Sequence, residues 1–407
     1  MGRTAARQFG ASALTALRGP DPAARGGAAL PGPAGRAAGP YGPCPDPAPP
    51  EALVTLSHLE CVRCAARFPL ADHPRGCPDC DTAGRNANLF CVYEESTPPT
   101  ERLPYDTVPA LGEGDTPLLR LPWLAGASVK NEAANPTGSH KDRFAAMAVA
   151  HAAASGYERV AISSSGNAGL ALAAYAAAAG LRCTVAGYTR LPEPVRERIA
   201  DLGADLRLFD TDAERVALIR ESAARPDTLA VSNIAEPFVG CHPIGIEGYK
   251  RIAWEIAAQA AEEVRHVVVP TSRGDLAWGI HRGFAELRGT PPPRLHLVEP
   301  FPRLTAVLAG APVGGHFPGD SGRLSSIAGH TTTVQAHRAV TLSGGSAVVV
   351  SSDTADDWYA RLCGRGHVWE RSSVTVFAAY ERLRAQGTIG ADEHTVLVAT
   401  SHFFKGL

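Results

Sequence analysis

The chain has 407 residues, is 45% hydrophobic and 20% charged, and carries a net charge of -2. That length holds two packed domains and a small accessory module, and the near-neutral balance speaks against a nucleic-acid or anionic-membrane partner. Nine cysteines without a disulfide framework fit a reducing compartment and a metal site better than a secreted scaffold. The longest apolar run, Gly169–Gly180, is mostly alanine and too short to span a bilayer, so a soluble, cytoplasmic protein is expected.

Residues 1–50 are dominated by Ala, Gly, Pro and Arg and lack a sustained apolar period. They cannot bury enough surface to offset the entropy of ordering, which predicts a disordered extension. Residues 51–95 contain Cys61-Val-Arg-Cys64 and Cys77-Pro-Asp-Cys80. Two such pairs a dozen residues apart have zinc-ribbon spacing. Each pair forms a knuckle, and the four thiolates Cys61, Cys64, Cys77 and Cys80 close a tetrahedral shell. With no ligand position left open, the Zn2+ is expected to be structural. The ribbon has no basic run with interleaved aromatics, so a nucleic-acid role does not follow.

Residues 96–407 read as an α/β body. Val129–Glu132 is a short strand leading into Asn135-Pro136-Thr137-Gly138, a turn. Ser139 followed by Asp142 reads as a capping box for an alanine-rich helix over Phe144–Ala154. Lys141 therefore falls in the first helical turn, at the positive end of the dipole. That field favours a neutral amine over an ammonium, the form a Schiff-base lysine needs; an ordinary solvated lysine at a helix start fits the local pattern equally. Strands and helices then alternate: 160–163 and 167–179, 183–187 and 193–202, 206–209 and 212–223. A second series of strands runs through 267–269, 295–298, 347–350 and 395–399. Alternation of this kind predicts βαβ units on parallel sheets, in two α/β domains with a site beyond the strands' carboxyl ends. Ser163–Gly169 links a strand to a helix, where small residues and free N–H groups admit an anion.

In these stretches the chain resembles fold-type II pyridoxal-phosphate enzymes, above all the threonine synthase group. The resemblance rests on Asn135–Arg143, on Leu111-Gly-Glu-Gly-Asp-Thr-Pro-Leu118, on the Ser-Gly-Asn loop ending at Asn167, on Gly366–Ser373, on Val396–Gly406 and on the cysteine-rich segment. It implies pyridoxal 5'-phosphate on Lys141, which then moves protons once substrate displaces it. By the same resemblance Asn167 meets the cofactor's phenolic oxygen and Thr400 its pyridine nitrogen. Ser164, Ser165 and backbone donors such as Gly166 take the substrate carboxylate. The loop Thr271-Ser272-Arg273-Gly274 stands where the family holds the cofactor phosphate. Only Gly274 remains of the usual glycines, so hydroxyls and Arg273 replace part of the backbone nest, and Asp275 is expected to turn away or cap the helix.

Other departures are His140, where an aromatic residue usually precedes the lysine, and Ser401 and Phe403, where glycines flank the histidine. The smaller α/β domain is expected over about 144–245, inserted within the body, and a homodimer is implied. The expected reaction is threonine synthase-like: phosphate leaves O-phosphohomoserine and water adds. The alternatives are β-elimination or β-replacement on a serine-type amino acid, and a non-catalytic small-molecule-binding relative.

Overall fold

The computed structural model describes residues 55–105, 109–287 and 291–405, so the expected extension over 1–50 lies outside the described residues. The chain enters through a small antiparallel sheet of order β2-β1-β3. Its strands are β1 (Leu56–Cys61), β2 (Arg67–Phe68) and β3 (Leu89–Tyr93), with the single-turn helix α1 (Pro78–Thr82) between β2 and β3. Gly76 is obligatory between the cysteine pairs: its φ is 76°, and a Cβ there would lie 2.4 Å from the Ala87 carbonyl oxygen.

Next come β4 (Leu118–Arg120) and β5 (Ala127–Asn131), then α2 (Lys141–Ala154). The alternation continues with β6 (Arg159–Ser163), α3 (Asn167–Ala178), β7 (Arg182–Tyr188), α4 (Glu193–Asp201), β8 (Asp205–Phe209), α5 (Asp212–Ala223) and β9 (Thr228–Ala230). The strands β6 to β9 form a four-stranded parallel sheet of order β8-β7-β6-β9. After α6 (Pro243–Glu247) and α7 (Lys250–Gln259) the chain builds β10 (Val264–Pro270), α8 (Asp275–Glu286) and β11 (Arg294–Glu299). Then follow α9 (Leu304–Leu308), α10 (Val334–Ser343), β12 (Ser346–Val349), α11 (Ser352–Cys363), α12 (Arg371–Ala385) and β13 (His394–Ala399).

The larger sheet has the order β12-β11-β10-β13-β5-β4 and is parallel except for β4 at its edge. Its central strands are continuous apolar runs because both faces are covered. Val267 and Val269 join one core with α8 and α10, while Val268 between them joins the opposite core with α12. That alternation is the two-residue period of a strand. β4 was not predicted from the sequence; three residues paired antiparallel to β5 carry too short a pattern to read.

Alanine explains how α2 and α3 approach each other: Ala145, Ala148 and Ala152 of α2 and Ala171, Ala173 and Ala176 of α3 are fully buried. Glycine plays the same part on the other side of α2. A Cβ on Gly245 would lie 2.4 Å from the Phe144 ring, and one on Gly248 would lie 2.1 Å from the Arg143 carbonyl oxygen.

Two polar groups fix α2 from its ends. Near its C-terminus, Asp72 Oδ1 meets His151 Nε2 and His242 Nε2 at 2.8 Å each, and Tyr157 donates to Oδ2 at 2.5 Å. Burial pushes the Asp72 carboxyl up, but hydrogen bonds from both imidazoles more than reverse this and hold it well below the carboxylate range. Near its N-terminus, Arg143 donates to Glu132 at 2.7 and 2.8 Å and to Glu255 at 2.6 and 2.8 Å. Lys130 reaches the same Glu255 at 2.7 Å. Two cations and two carboxylates thus sit buried beneath the turn that carries Lys141.

Candidate active site

Gly138, at φ 82°, completes the turn before α2, with its N–H donating to the Asn135 carbonyl at 2.7 Å. Lys141 is the first residue of α2, in the first helical turn as the sequence places it, and is half-buried. The expected capping box does not form. His140 occupies the cap, and the Asp142 carboxylate turns back to accept from the Thr137 N–H at 2.6 Å and from the Thr137 hydroxyl. The Lys141 Nζ donates to the Tyr249 hydroxyl at 3.1 Å. Tyr249 is buried, and its ring lies between those of His140 and Phe144, with centroids 5.6 and 6.2 Å away. Burial, and then the negative charge of Asp275, push the phenol well above its ordinary range.

Thr400, at the end of β13, is tied to this turn: its carbonyl accepts from the His140 N–H at 3.0 Å. Its hydroxyl lies 2.8 Å from that of Ser373. Ser401 pairs with Ser139 and donates from Oγ to the Gly138 carbonyl at 3.3 Å. Ser401 is fully buried there and Phe403 half-buried, with its ring 4.3 Å from that of Phe404.

Asn167 opens α3 behind Gly166, whose φ of 144° admits glycine. Its Nδ2 donates to Ser326 Oγ and Glu370 Oε2, both at 3.3 Å. The Glu370 N–H in turn donates to the Ser401 carbonyl at 3.0 Å, so this loop and the lysine turn share a frame. The serines differ from each other. Ser164 Oγ accepts from the N–H groups of Gly166 and Gly169 at 3.1 and 2.8 Å, which employs it in shaping the loop, whereas Ser165 is exposed.

The loop after β10 is held from outside. The Arg303 guanidinium, buried, donates to the Thr271 and Ile327 carbonyls at 3.1 Å each. Ser272 Oγ donates to the Ala328 carbonyl at 2.8 Å, two residues from the Ser326 that meets Asn167. Gly274 starts α8 at φ 84°, and a Cβ there would lie 2.5 Å from that of Ala336. Arg273 turns its guanidinium over the Phe238 ring at 3.8 Å. Asp275 accepts a hydrogen bond from Gln335 Nε2, so its carboxylate is engaged sideways and the cap falls to Gly274.

The four cysteines belong to the small antiparallel module of β1, β2, α1 and β3. Cys61–Cys80 and Cys64–Cys77 Sγ separations are both 3.7 Å. A tetrahedron of Zn–S bonds of about 2.3 Å has edges of about 3.8 Å, so the spacing suits that ion.

A family model described as pyridoxal-phosphate dependent enzyme matches residues 109–401. The threonine synthase of Methanosarcina acetivorans is 28% identical over 394 residues, covering 86% of this chain and 92% of that protein. The threonine synthase of Methanocaldococcus jannaschii is 29% identical over 321 residues, covering 73% and 76%. The threonine synthase of Halalkalibacterium halodurans is 33% identical over 224 residues, covering 52% and 60%. Among solved structures, O-ureido-L-serine synthase superposes with a TM-score of 0.58 at 22% identity, over 72% of this chain and 90% of that one. Two parallel sheets and these matches define a fold-type II α/β architecture. The chain belongs to the pyridoxal-phosphate dependent enzyme family.

The residues present suit the cofactor which that membership implies. The Thr271 hydroxyl is buried without a hydrogen-bond partner among the described residues, an unspent polar group beside the first turn of α8. No helix among the described residues is long and apolar enough to cross a membrane. Reading the sequence missed Tyr249 and Ser326, and it gave Glu370 and Ser373 no role beyond the resemblance of Gly366–Ser373. Only Tyr249 had a local signal: Gly245 and Gly248, three residues apart, mark a segment that must approach another backbone closely.

Proposed function

We propose that the chain is a pyridoxal-phosphate-dependent lyase of the threonine synthase type, which releases phosphate from O-phosphohomoserine and adds water. The observation that carries this reading is the Lys141 amine, half-buried at the start of α2 in a turn that Thr400 and Ser401 hold in place. The match to the Methanosarcina acetivorans threonine synthase, over 92% of that protein, supports this reaction.

In this reading Lys141 binds the cofactor covalently, and Asn167 and Thr400 orient its ring. Thr271, Ser272, Arg273 and Gly274 hold its phosphate, with the first turn of α8 adding N–H donors. Pyridoxal phosphate, when bound, acts as an electron sink for the substrate's α-carbon. The freed Lys141 amine takes the α-proton at Nζ. Ser165, the Gly166 segment and the N–H groups of Asn167 and Ala168 in the first turn of α3 bind the substrate carboxylate, while Ser164 shapes the loop by accepting from the Gly166 and Gly169 N–H groups. A neutral hydroxyl at Thr400 would hydrogen-bond the ring nitrogen without enforcing its protonation as a carboxylate would.

A second reading is β-elimination or β-replacement on a serine-type amino acid. Buried Ser401 and half-buried Phe403, where the resemblance expects glycines, favour it by leaving less room for a longer substrate. The purified, cofactor-loaded protein decides between them. Phosphate release from O-phosphohomoserine with threonine as product is the expected result. Pyruvate from O-substituted serines, without phosphate release, would transfer the assignment to the second reading.

Residues 51–95 are read as a zinc ribbon and residues 96–407 as the catalytic body, with about 144–245 as its smaller α/β part. One zinc per chain is expected by metal analysis, lost in Cys61→Ser and in Cys77→Ser. Equal zinc in both variants and the unaltered protein would count against the ribbon.

A further inference from the structure

The side-chain amine of Lys141 has one hydrogen-bond partner among the described residues, the Tyr249 hydroxyl at 3.1 Å, with the Nζ 5.5 Å from the centre of the same ring. That partner is 108 residues away in sequence. It caps α7 directly after Gly248, whose missing Cβ lets the segment lie against the Arg143 carbonyl at the start of α2. The ring cannot swing freely, since His140 and Phe144 flank it and it is 1% exposed. The histidine that departs from the usual aromatic residue before the lysine thus lies against Tyr249, and its own ring is anchored 3.2 Å from the Thr400 carbonyl.

We propose that Tyr249 is a catalytic residue, the neutral hydroxyl that stays hydrogen-bonded to the Lys141 amine through both of its protonation states. A phenol suits this because it both donates and accepts. When Lys141 is an amine, the Tyr249 O–H donates to the nitrogen lone pair; when Lys141 is an ammonium, an N–H donates to the Tyr249 oxygen. In α-proton removal the substrate C–H bond breaks and an N–H bond forms at Nζ. The new ammonium turns a proton toward Tyr249 without any proton leaving the phenol. A carboxylate in this place would hold the ammonium too firmly, and an apolar side chain would leave the new charge without a partner. Burial and the neighbouring Asp275 keep the phenol neutral throughout.

The inference rests on Lys141 being the cofactor lysine, and the test separates the two claims. Tyr249→Phe keeps the ring and its packing and removes only the hydroxyl. It should still give a cofactor tag on Lys141 after borohydride reduction, which isolates the test from the lysine assignment. Its kcat should fall by about 10²-fold, within the range for proton-transfer partners, with KM changed less than about threefold. Replacement of Tyr249 by 3,5-difluorotyrosine preserves shape and hydrogen bonding but makes the phenol a better donor and poorer acceptor. That favours the neutral amine, so the acid limb of the kcat profile should move to lower pH. The absorbance–pH titration of the resting, substrate-free protein should shift with it. A Tyr249→Phe variant with unaltered kcat, or a difluorotyrosine variant whose acid limb and titration both superpose on those of the parent, overturns the proposal.

Discussion

Lys141→Ala should fold, fail to retain the cofactor covalently, and lose at least about 10³-fold in turnover, because in the proposed function one residue supplies both the covalent attachment and the base. Alanine is the best helix former and Lys141 opens α2 half-exposed, so the loss is chemical and not a consequence of unfolding. Two of the other lysines are already committed to carboxylates. Lys130 is buried against Glu255, and Lys250 is buried between Glu247 and Glu286 at 2.9 and 2.8 Å. The checks are the visible absorbance of the purified variant, its turnover, and its urea midpoint. Turnover within tenfold of the parent would mean that the proton is taken elsewhere.

Arg143→Leu should cost about 3–5 kcal/mol of stability, because truncating one member of a buried charge network strands the others. Arg143 supplies four hydrogen bonds to Glu132 and Glu255, and Lys130 neutralises only one of those carboxylates directly. Burial alone would push the Glu255 carboxyl up. The hydrogen bonds and charge of Arg143, with Lys130 behind them, instead bring it down to about 2. A carboxyl held below its unfolded value stabilises the fold at pH above about 4.3, and that contribution is lost as pH falls toward 2. The parent's stability should therefore decline over that window, and the decline should be shallower in Arg143→Leu. Urea unfolding followed at several pH values measures both, and a cost below about 1 kcal/mol at neutral pH would show that the network relaxes around the gap. Since Arg143 lies two residues beyond Lys141, the variant should also bind cofactor less tightly.

Much of this architecture was readable in the amino-acid order. The runs at 267–269, 295–298 and 395–399 announced buried parallel strands because a strand covered on both faces needs no polar alternate. The cysteine pairs declared their knuckles through spacing, and the turn before Lys141 through Pro136 and Gly138. What stayed hidden is what depends on contacts between distant segments. Ser139 and Asp142 had the right spacing for a capping box, yet Asp142 found Thr137 closer. Ser164 reads in the sequence as a substrate ligand; its oxygen also accepts from two of its own loop's N–H groups, which leaves its O–H to donate, and only the fold reveals that second task. Glu370 lies 203 residues from Asn167 and Tyr249 lies 108 from Lys141, and no local pattern encodes such pairings. The departures at His140 and Ser401 become intelligible only in three dimensions, one against the Tyr249 ring and the other bonded to Gly138.

Borohydride reduction of the cofactor-loaded protein, followed by proteolysis and peptide mapping, tests the central claim most directly. The account predicts a single reduced-cofactor tag, on the peptide that contains Lys141. A tag on any other lysine, or none after full loading, would contradict it.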